Sequence, residues 1–265
     1  MTDAAHTPVA VVTGAASGIG RQCCRQLLDD GWRVYALDVS ANALQQVDAE
    51  LQAGDRLRVL PCDVRDADAV AAVFAEIAGQ AAAVDALICS AGILRTGPLM
   101  EMTIEDFDQI FAVNTRGAWL CVKAALPLLR RAASAEMPSR VVMLGSIAAI
   151  RPKIGGGAYA ASKAALSRLV RVMAVELAQD KILVNAVAPG TVDTPMIASA
   201  LAAPGKTYKP SGRSPLGRVA APADVVAVIR FLLQPASNYV TGTWIPVDGG
   251  TSAAFVAPDA PTGGG

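Results

Sequence analysis

The chain is 265 residues long, 53% hydrophobic and only 17% charged, with a mean hydropathy of +0.40. Its 23 basic and 23 acidic residues cancel, and neither sign is gathered into a block. This excludes a nucleic-acid footprint or an acidic tail. No apolar run approaches the roughly 18 residues of a membrane span, so a membrane partner is not expected.

The chain goes almost directly into an apolar run at Val9–Thr13, which leaves no room for a signal peptide. Residues 1–7 are expected to be flexible. From there strand and helix patterns alternate. Strands are predicted at Val9–Thr13, Arg33–Asp38, Arg56–Pro61, Asp85–Ile88, Arg140–Gly145, Ile182–Ala188 and Thr243–Val247. Helices are predicted at Gly18–Asp30, Ala41–Ala53, Asp66–Gly79, Thr103–Arg131, Tyr159–Ala178 and Pro222–Leu233. Gly31 suits a left-handed cap after the first helix, and Asp66 and Asp224 suit helix first turns. Short apolar runs between helices describe strands buried on both faces. The fold class is therefore α/β, a doubly wound parallel sheet of seven strands with helices on both faces, in one domain spanning 1–265. Residues 196–215, with three prolines and two glycines, read as a mobile loop closing over substrate. Residues 257–265 read as a frayed tail. Cys23, Cys24, Cys62, Cys89 and Cys121 form no C-x-x-C pair and read as reduced core thiols of a soluble cytoplasmic protein.

The first strand runs into TGAASGIG (13–20) and then a helix. Glycines at 14, 18 and 20 permit a tight turn and close backbone approach to a diphosphate seated on the helix N-terminus. The contacts expected there are Gly14, Ser17, Gly18, Ile19 and Gly20. The spacing G-x-x-x-G-x-G is not the usual dinucleotide fingerprint, and a plain strand-to-helix turn is the competing reading. Asp38 ends the second strand, where a carboxylate accepts bonds from both adenosine ribose hydroxyls and repels a 2′-phosphate. That points to NAD as cofactor; an acid that merely caps the next turn is the alternative. Asp63, after the third strand, is placed for the adenine amino group, with Val64 on the ring.

The fifth strand ends in Ser146, at the sheet edge where doubly wound folds bind ligands. Tyr159 and Lys163 follow at i and i+4 on one helix. An ammonium one turn away, with a positive nicotinamide, favours phenolate in a side chain that is otherwise a poor base. A phenol so placed takes the proton of an alcohol as hydride departs, and returns it in the reverse reaction. Ser146 is expected to hold the substrate oxygen, and Lys163 the nicotinamide ribose. Tyrosine and lysine at helical spacing are also common on surfaces, but the only histidine, His6, lies in the flexible start. Neither imidazole catalysis nor a histidine metal site is expected on that ground.

TGAASGIG, CSAG (89–92), FAVN (111–114), GS (145–146), YAASK (159–163), NAVAPGTVDT (185–194) and VDGG (247–250), in this order, resemble the short-chain dehydrogenase/reductase family. The resemblance spans Val9 to Gly250 and implies a Rossmann-type domain, a small alcohol or ketone substrate and a homo-oligomer, usually a tetramer. It implies that Asn114 completes a tetrad with Ser146, Tyr159 and Lys163, its helix holding a water that links Lys163 to solvent. It further implies that Ala91 and Gly92 let the cofactor approach, and that Pro189, Gly190, Val192 and Thr194 contact the nicotinamide amide. Where the family often has N-N-A-G, this chain has Cys89-Ser90-Ala91-Gly92. The strand-tying role of the first asparagine must fall to another group. AGILRTG (91–97), PKIGGGAYAASKAAL (152–166) and SPLGR (214–218) are similar to bacterial 2,3-dihydro-2,3-dihydroxybenzoate dehydrogenases, which implies a cyclic dihydrodiol-acid substrate. Arg95, Arg151 and Lys153 are then candidates for a substrate carboxylate, each with exposed loop charge as the other reading. The expected function is NAD-dependent interconversion of a small, cyclic secondary alcohol and its ketone. The alternatives are a 3-ketoacyl-type carbonyl reductase and a non-catalytic NAD-binding protein.

Overall fold

Successive residues of a strand face opposite sides of its sheet, and in this chain both sides are apolar. The computed structural model describes residues 7–202 and 214–254. Its strands are β1 (Val9–Thr13), β2 (Arg33–Asp38), β3 (Leu57–Pro61), β4 (Ala86–Cys89), β5 (Ser139–Leu144), β6 (Ile182–Pro189) and β7 (Trp244–Val247). They form one parallel sheet in the order β3-β2-β1-β4-β5-β6-β7. Val11, Tyr35, Leu87, Val141 and Val184 enter one buried cluster; Ala10, Val34, Ile88, Val142 and Val187 enter the other. This is the doubly covered parallel sheet that the apolar runs predicted.

The helices are α1 (Gly18–Asp29), α2 (Ala41–Leu51), α3 (Ala67–Gln80), α4 (Ile104–Phe111), α5 (Ala118–Ala132), α6 (Gly157–Glu176), α7 (Pro195–Ala202) and α8 (Pro222–Leu232). Gly31 takes φ 86° just beyond α1, with Trp32 N–H bonded back to Leu27 O, the expected left-handed stop. Asp66 caps α3 by accepting from the amides of Asp68 and Ala69. Asp224, in the first turn of α8, accepts from Ala221 N–H at 2.7 Å.

Two expectations are corrected. The single helix predicted over Thr103–Arg131 is interrupted: Ala112–Gly117 widens into a π-helical turn between α4 and α5. The hydrophobic period runs on through such a turn, so the sequence pattern does not reveal it. The irregular segment predicted from Met196 begins instead as α7. Pro195 suits a first helical position, and the next residues, MIASALA, contain neither proline nor glycine; the prolines that suggested a loop all come later. Residues 203–213 lie outside the described residues, as do 1–6 and 255–265, on which the expected flexible start and frayed tail fall. No helix among the described residues is long and apolar enough to cross a membrane. All five cysteines are free and buried.

The segment leading into β7 is tied to β6 through Asn185, which is buried within β6. Its side chain donates to Val240 O at 2.7 Å and accepts from Thr243 N–H at 3.1 Å. Asn185→Ala strands two backbone groups at once. It should lower unfolding free energy in urea by at least about 2 kcal/mol; a loss below about 0.5 kcal/mol would show that this bridge does not hold the edge of the sheet.

Candidate active site at the switch point of the sheet

Strand order reverses between β1 and β4, and a crevice opens there at the carboxyl ends of the strands, where α/β sheets bind ligands. The cleft has a volume of about 460 Å³. Every residue expected to touch a cofactor lines it except Gly20. Gly20 serves packing instead: a Cβ there would stand 2.1 Å from Gly14 O. Gly14 needs its glycine for both conformation and space, with φ 65° and a would-be Cβ 2.7 Å from the Ala91 backbone. Ser17, at the N-cap of α1, makes no side-chain bond to the first turn. The amides of that turn are therefore available to an anion in the cleft, as a diphosphate requires.

At the far end of the turn Asp38 accepts from Ala16 N–H and from Ser40 N–H, each at 3.1 Å. The turn-capping reading is thus realised, yet the carboxylate also lines the cleft. Asp63 has a partner of its own. Both its oxygens accept from the Arg65 guanidinium, at 2.6–3.0 Å, while the carboxylate lines the cleft. That forked bond holds the Asp63 carboxyl below its usual range. Arg65, which the sequence reading did not single out, lines the cleft as well; an acid and an arginine two residues apart were the available signal. Val64 keeps its place as an apolar wall, packed so closely on Gly117 that a Cβ there would meet it at 2.8 Å.

Ser146, Tyr159 and Lys163 line the cleft together. Lys163 is 4% exposed and donates to Leu144 O, at the end of β5, at 2.7 Å. Its nitrogen lies 5.8 Å from the centre of the Tyr159 ring. Burial pulls the lysine pKa down from 10.5 to about 8. Ser146 Oγ accepts from Ala148 N–H at 3.1 Å, which orients the hydroxyl. Gly145, before it, has no room for a side chain, since the Trp244 ring from β7 occupies that space.

Asn114 does not reach the cleft surface. It sits 1% exposed on the π-helical turn, accepting from Ile93 N–H at 2.8 Å and donating to Ile93 O at 3.0 Å and Ser162 Oγ at 3.1 Å. A Cβ on Gly92 would lie 3.3 Å from Asn114 Oδ1 and 3.5 Å from Lys163 Nζ. Gly92 thus lets asparagine, lysine and cleft floor meet. Widened turns of this kind recur at functional sites. The tie that the absent asparagine at position 89 would supply comes partly from Thr13, whose hydroxyl accepts from Ala91 N–H at 3.2 Å across from β1. The Cys89 thiol turns inward to Ala118 O.

Of the three candidate cations, Arg95 pairs with Asp106 at 3.5 Å on the rim. Arg151 and Lys153 line a smaller recess that shares Ser146 and Tyr159 with the cleft. Met196 and Ile197 of α7 line both spaces.

A family model described as enoyl-(acyl carrier protein) reductase matches residues 14–252. A cis-4-hydroxycyclohexanecarboxylate dehydrogenase from Sinomonas cyclohexanicum is 37% identical over 96% of this chain and 100% of its own. A Pseudomonas aeruginosa RhlG/NADP complex superposes with TM-score 0.85 and 33% identity, covering 92% of this chain and 96% of that one. A 3-ketoacyl-(acyl-carrier-protein) reductase from Brucella melitensis, complexed with NADH, gives TM-score 0.82 and 26% identity over 92% and 98%. Near-complete coverage by such relatives makes the chain a member of the short-chain dehydrogenase/reductase family, oxidoreductases of CH–OH donors that use a nicotinamide cofactor.

Proposed function

We propose that this protein interconverts a small, cyclic secondary alcohol and its ketone with NAD(H), using Tyr159 as the proton-transfer residue. The observation that carries the reading is the buried Lys163 ammonium, bonded to Leu144 O and held one helical turn from Tyr159 at the cleft floor. A charge kept there stabilises negative charge developing on the phenol oxygen. Ser146, with its acceptor side already engaged by Ala148 N–H, has its hydroxyl proton to offer the substrate oxygen. In oxidation Tyr159 takes the carbinol proton; in reduction it gives that proton back. The bound nicotinamide supplies the hydride acceptor or donor. Asn114 acts at one remove, fixing the Ile93 backbone and Ser162 around Lys163.

The cyclic substrate is supported by the Sinomonas relative, whose name specifies a hydroxycyclohexane acid. The choice of NAD is supported by Asp38 on the cleft wall, which repels a 2′-phosphate. Its neighbour Val39 is apolar, and the nearby cation Arg65 is engaged by Asp63. These same features weigh against a ketoacyl reductase working with NADP. The enzyme should oxidise cyclohexanol-type probes with a kcat/KM for NAD well above that for NADP, and Asp38→Ala should narrow the gap. Equal or better use of NADP by the wild type would overturn the assignment.

Lys163 yields a second expectation through its lowered pKa. The folded value, about 8, lies below the unfolded 10.5, so the buried ammonium costs stability in full below pH 8. That cost is relieved as pH rises from 8 towards 10.5. Compared with Lys163→Met, the cofactor-free wild type should gain roughly 2 kcal/mol between about pH 7.5 and about pH 9.5. Urea unfolding of both proteins at each pH reads this difference. A constant difference would mean that the lysine is not buried as described.

A further inference from the structure

We infer that Trp244 is a positioning residue for the reaction proposed above: its indole fixes the main chain at Gly145 and so sets where the Ser146 hydroxyl stands against Tyr159. The inference rests on that reaction and adds to it a residue that does not line the cleft. Leu144, Gly145 and Ser146 are consecutive, and both outer residues serve the site. Leu144 O accepts from the Lys163 ammonium, and Ser146 lines the cleft with Tyr159. Any shift of Gly145 therefore moves the acceptor of the lysine and the serine together.

Gly145 is held from two directions. Its N–H donates to Val187 O at 2.7 Å, a rung between β5 and β6. On one face of the sheet the far edge of the Trp244 ring lies against it: a Cβ on Gly145 would stand 2.5 Å from Cζ2 and 2.8 Å from Cζ3. Gly145 has no positive φ, so its backbone does not call for glycine, and the ring alone does. Trp244 comes from β7, two strands away from β5. The strand between is low enough to cross, since Ala186 pairs with both Trp244 and Met143, and Ala188 follows on the same face. Reach decides which side chain can do this. The contact is made by the outer half of the indole, which extends beyond the reach of a phenylalanine ring. Interiors are packed so closely that withdrawing this edge frees Gly145 to shift. A misplacement of about 1 Å can cost on the order of 10²-fold in rate.

The test separates rate from binding. Active sites are counted by titration of NADH fluorescence. The kcat per site is then measured on whichever member of a panel of cyclic and open-chain alcohols and ketones the wild type turns over fastest. Trp244→Phe should lower kcat at least fivefold while the Kd for NADH changes less than threefold. A smaller loss of kcat, or an equal weakening of NADH binding, overturns the positioning role. A merely structural tryptophan would reduce the number of sites and leave kcat per site unchanged. A double-mutant comparison reads the contact itself. Gly145→Ala should cost at least tenfold in kcat with Trp244 present, and less than threefold when added to Trp244→Leu, where the methyl has room. Equal costs in the two backgrounds overturn the inference even if Trp244→Phe is slow. Failure of the proposed reaction looks different. If no cyclic alcohol is oxidised, the cyclic reading falls, while kcat on another member of the panel still decides on Trp244. A wild type that binds NADH and turns over nothing contradicts the reaction and removes the role of Trp244 with it.

Discussion

A protonated amine held at 4% exposure needs neighbours that compensate it, and the catalytic end of this protein is arranged around that need. Leu144 O, at the end of β5, accepts from Lys163 at 2.7 Å, which binds α6 to the sheet just before Ser146. Gly92 clears the space above the ammonium, and the Asn114 amide closes the other side by gripping Ile93. Ser162, adjacent to Lys163, donates to Tyr159 O and accepts from Asn114, so the π-helical turn, the loop after β4 and α6 share one hydrogen-bond chain. Strand ends supply backbone acceptors, and helices supply the side chains that use them.

At the opposite end of the cleft the constraint is backbone proximity. Gly14 and Gly20 are close enough to their neighbours that a methyl group at either position would collide with main chain. The first turn of α1 lines the crevice, and Asp38 ties the turn to the start of the next helix while its carboxylate lines the same crevice. The two ends are therefore specified differently. In the proposed reaction, recognition of a diphosphate depends on bare main chain, whereas proton transfer depends on a charge withdrawn from water.

Much of this was legible in the sequence because each strand is a short apolar run and each turn carries its own chemistry. Val9–Thr13 and Arg33–Asp38 were bounded to the residue, since a glycine or an acid marks each end of the crossover. What escaped depends on tertiary geometry. The turn at Ala112–Gly117 departs from a regular helix without disturbing the apolar pattern. The bond of Arg65 to Asp63 arises only once the chain bends after β3. Helix α7 was hidden because the prolines beyond it coloured the reading of the whole segment. Arg151 and Lys153 stood in the sequence both as candidates for a substrate carboxylate and as loop charges, and the fold sets them in a recess that Tyr159 also lines.

In the proposed reaction the Tyr159 hydroxyl moves the proton while the rest of the cleft binds and positions. Tyr159→Phe removes that oxygen and keeps the ring, so the comparison isolates it. The measurement is kcat for oxidation of a cyclic alcohol by NAD, made beside fluorescence titration of NADH binding on the same preparation. Turnover should fall by about 10² or more, with NADH still bound and the fold intact. Turnover close to wild type in this variant, with an active wild-type enzyme alongside, would contradict it.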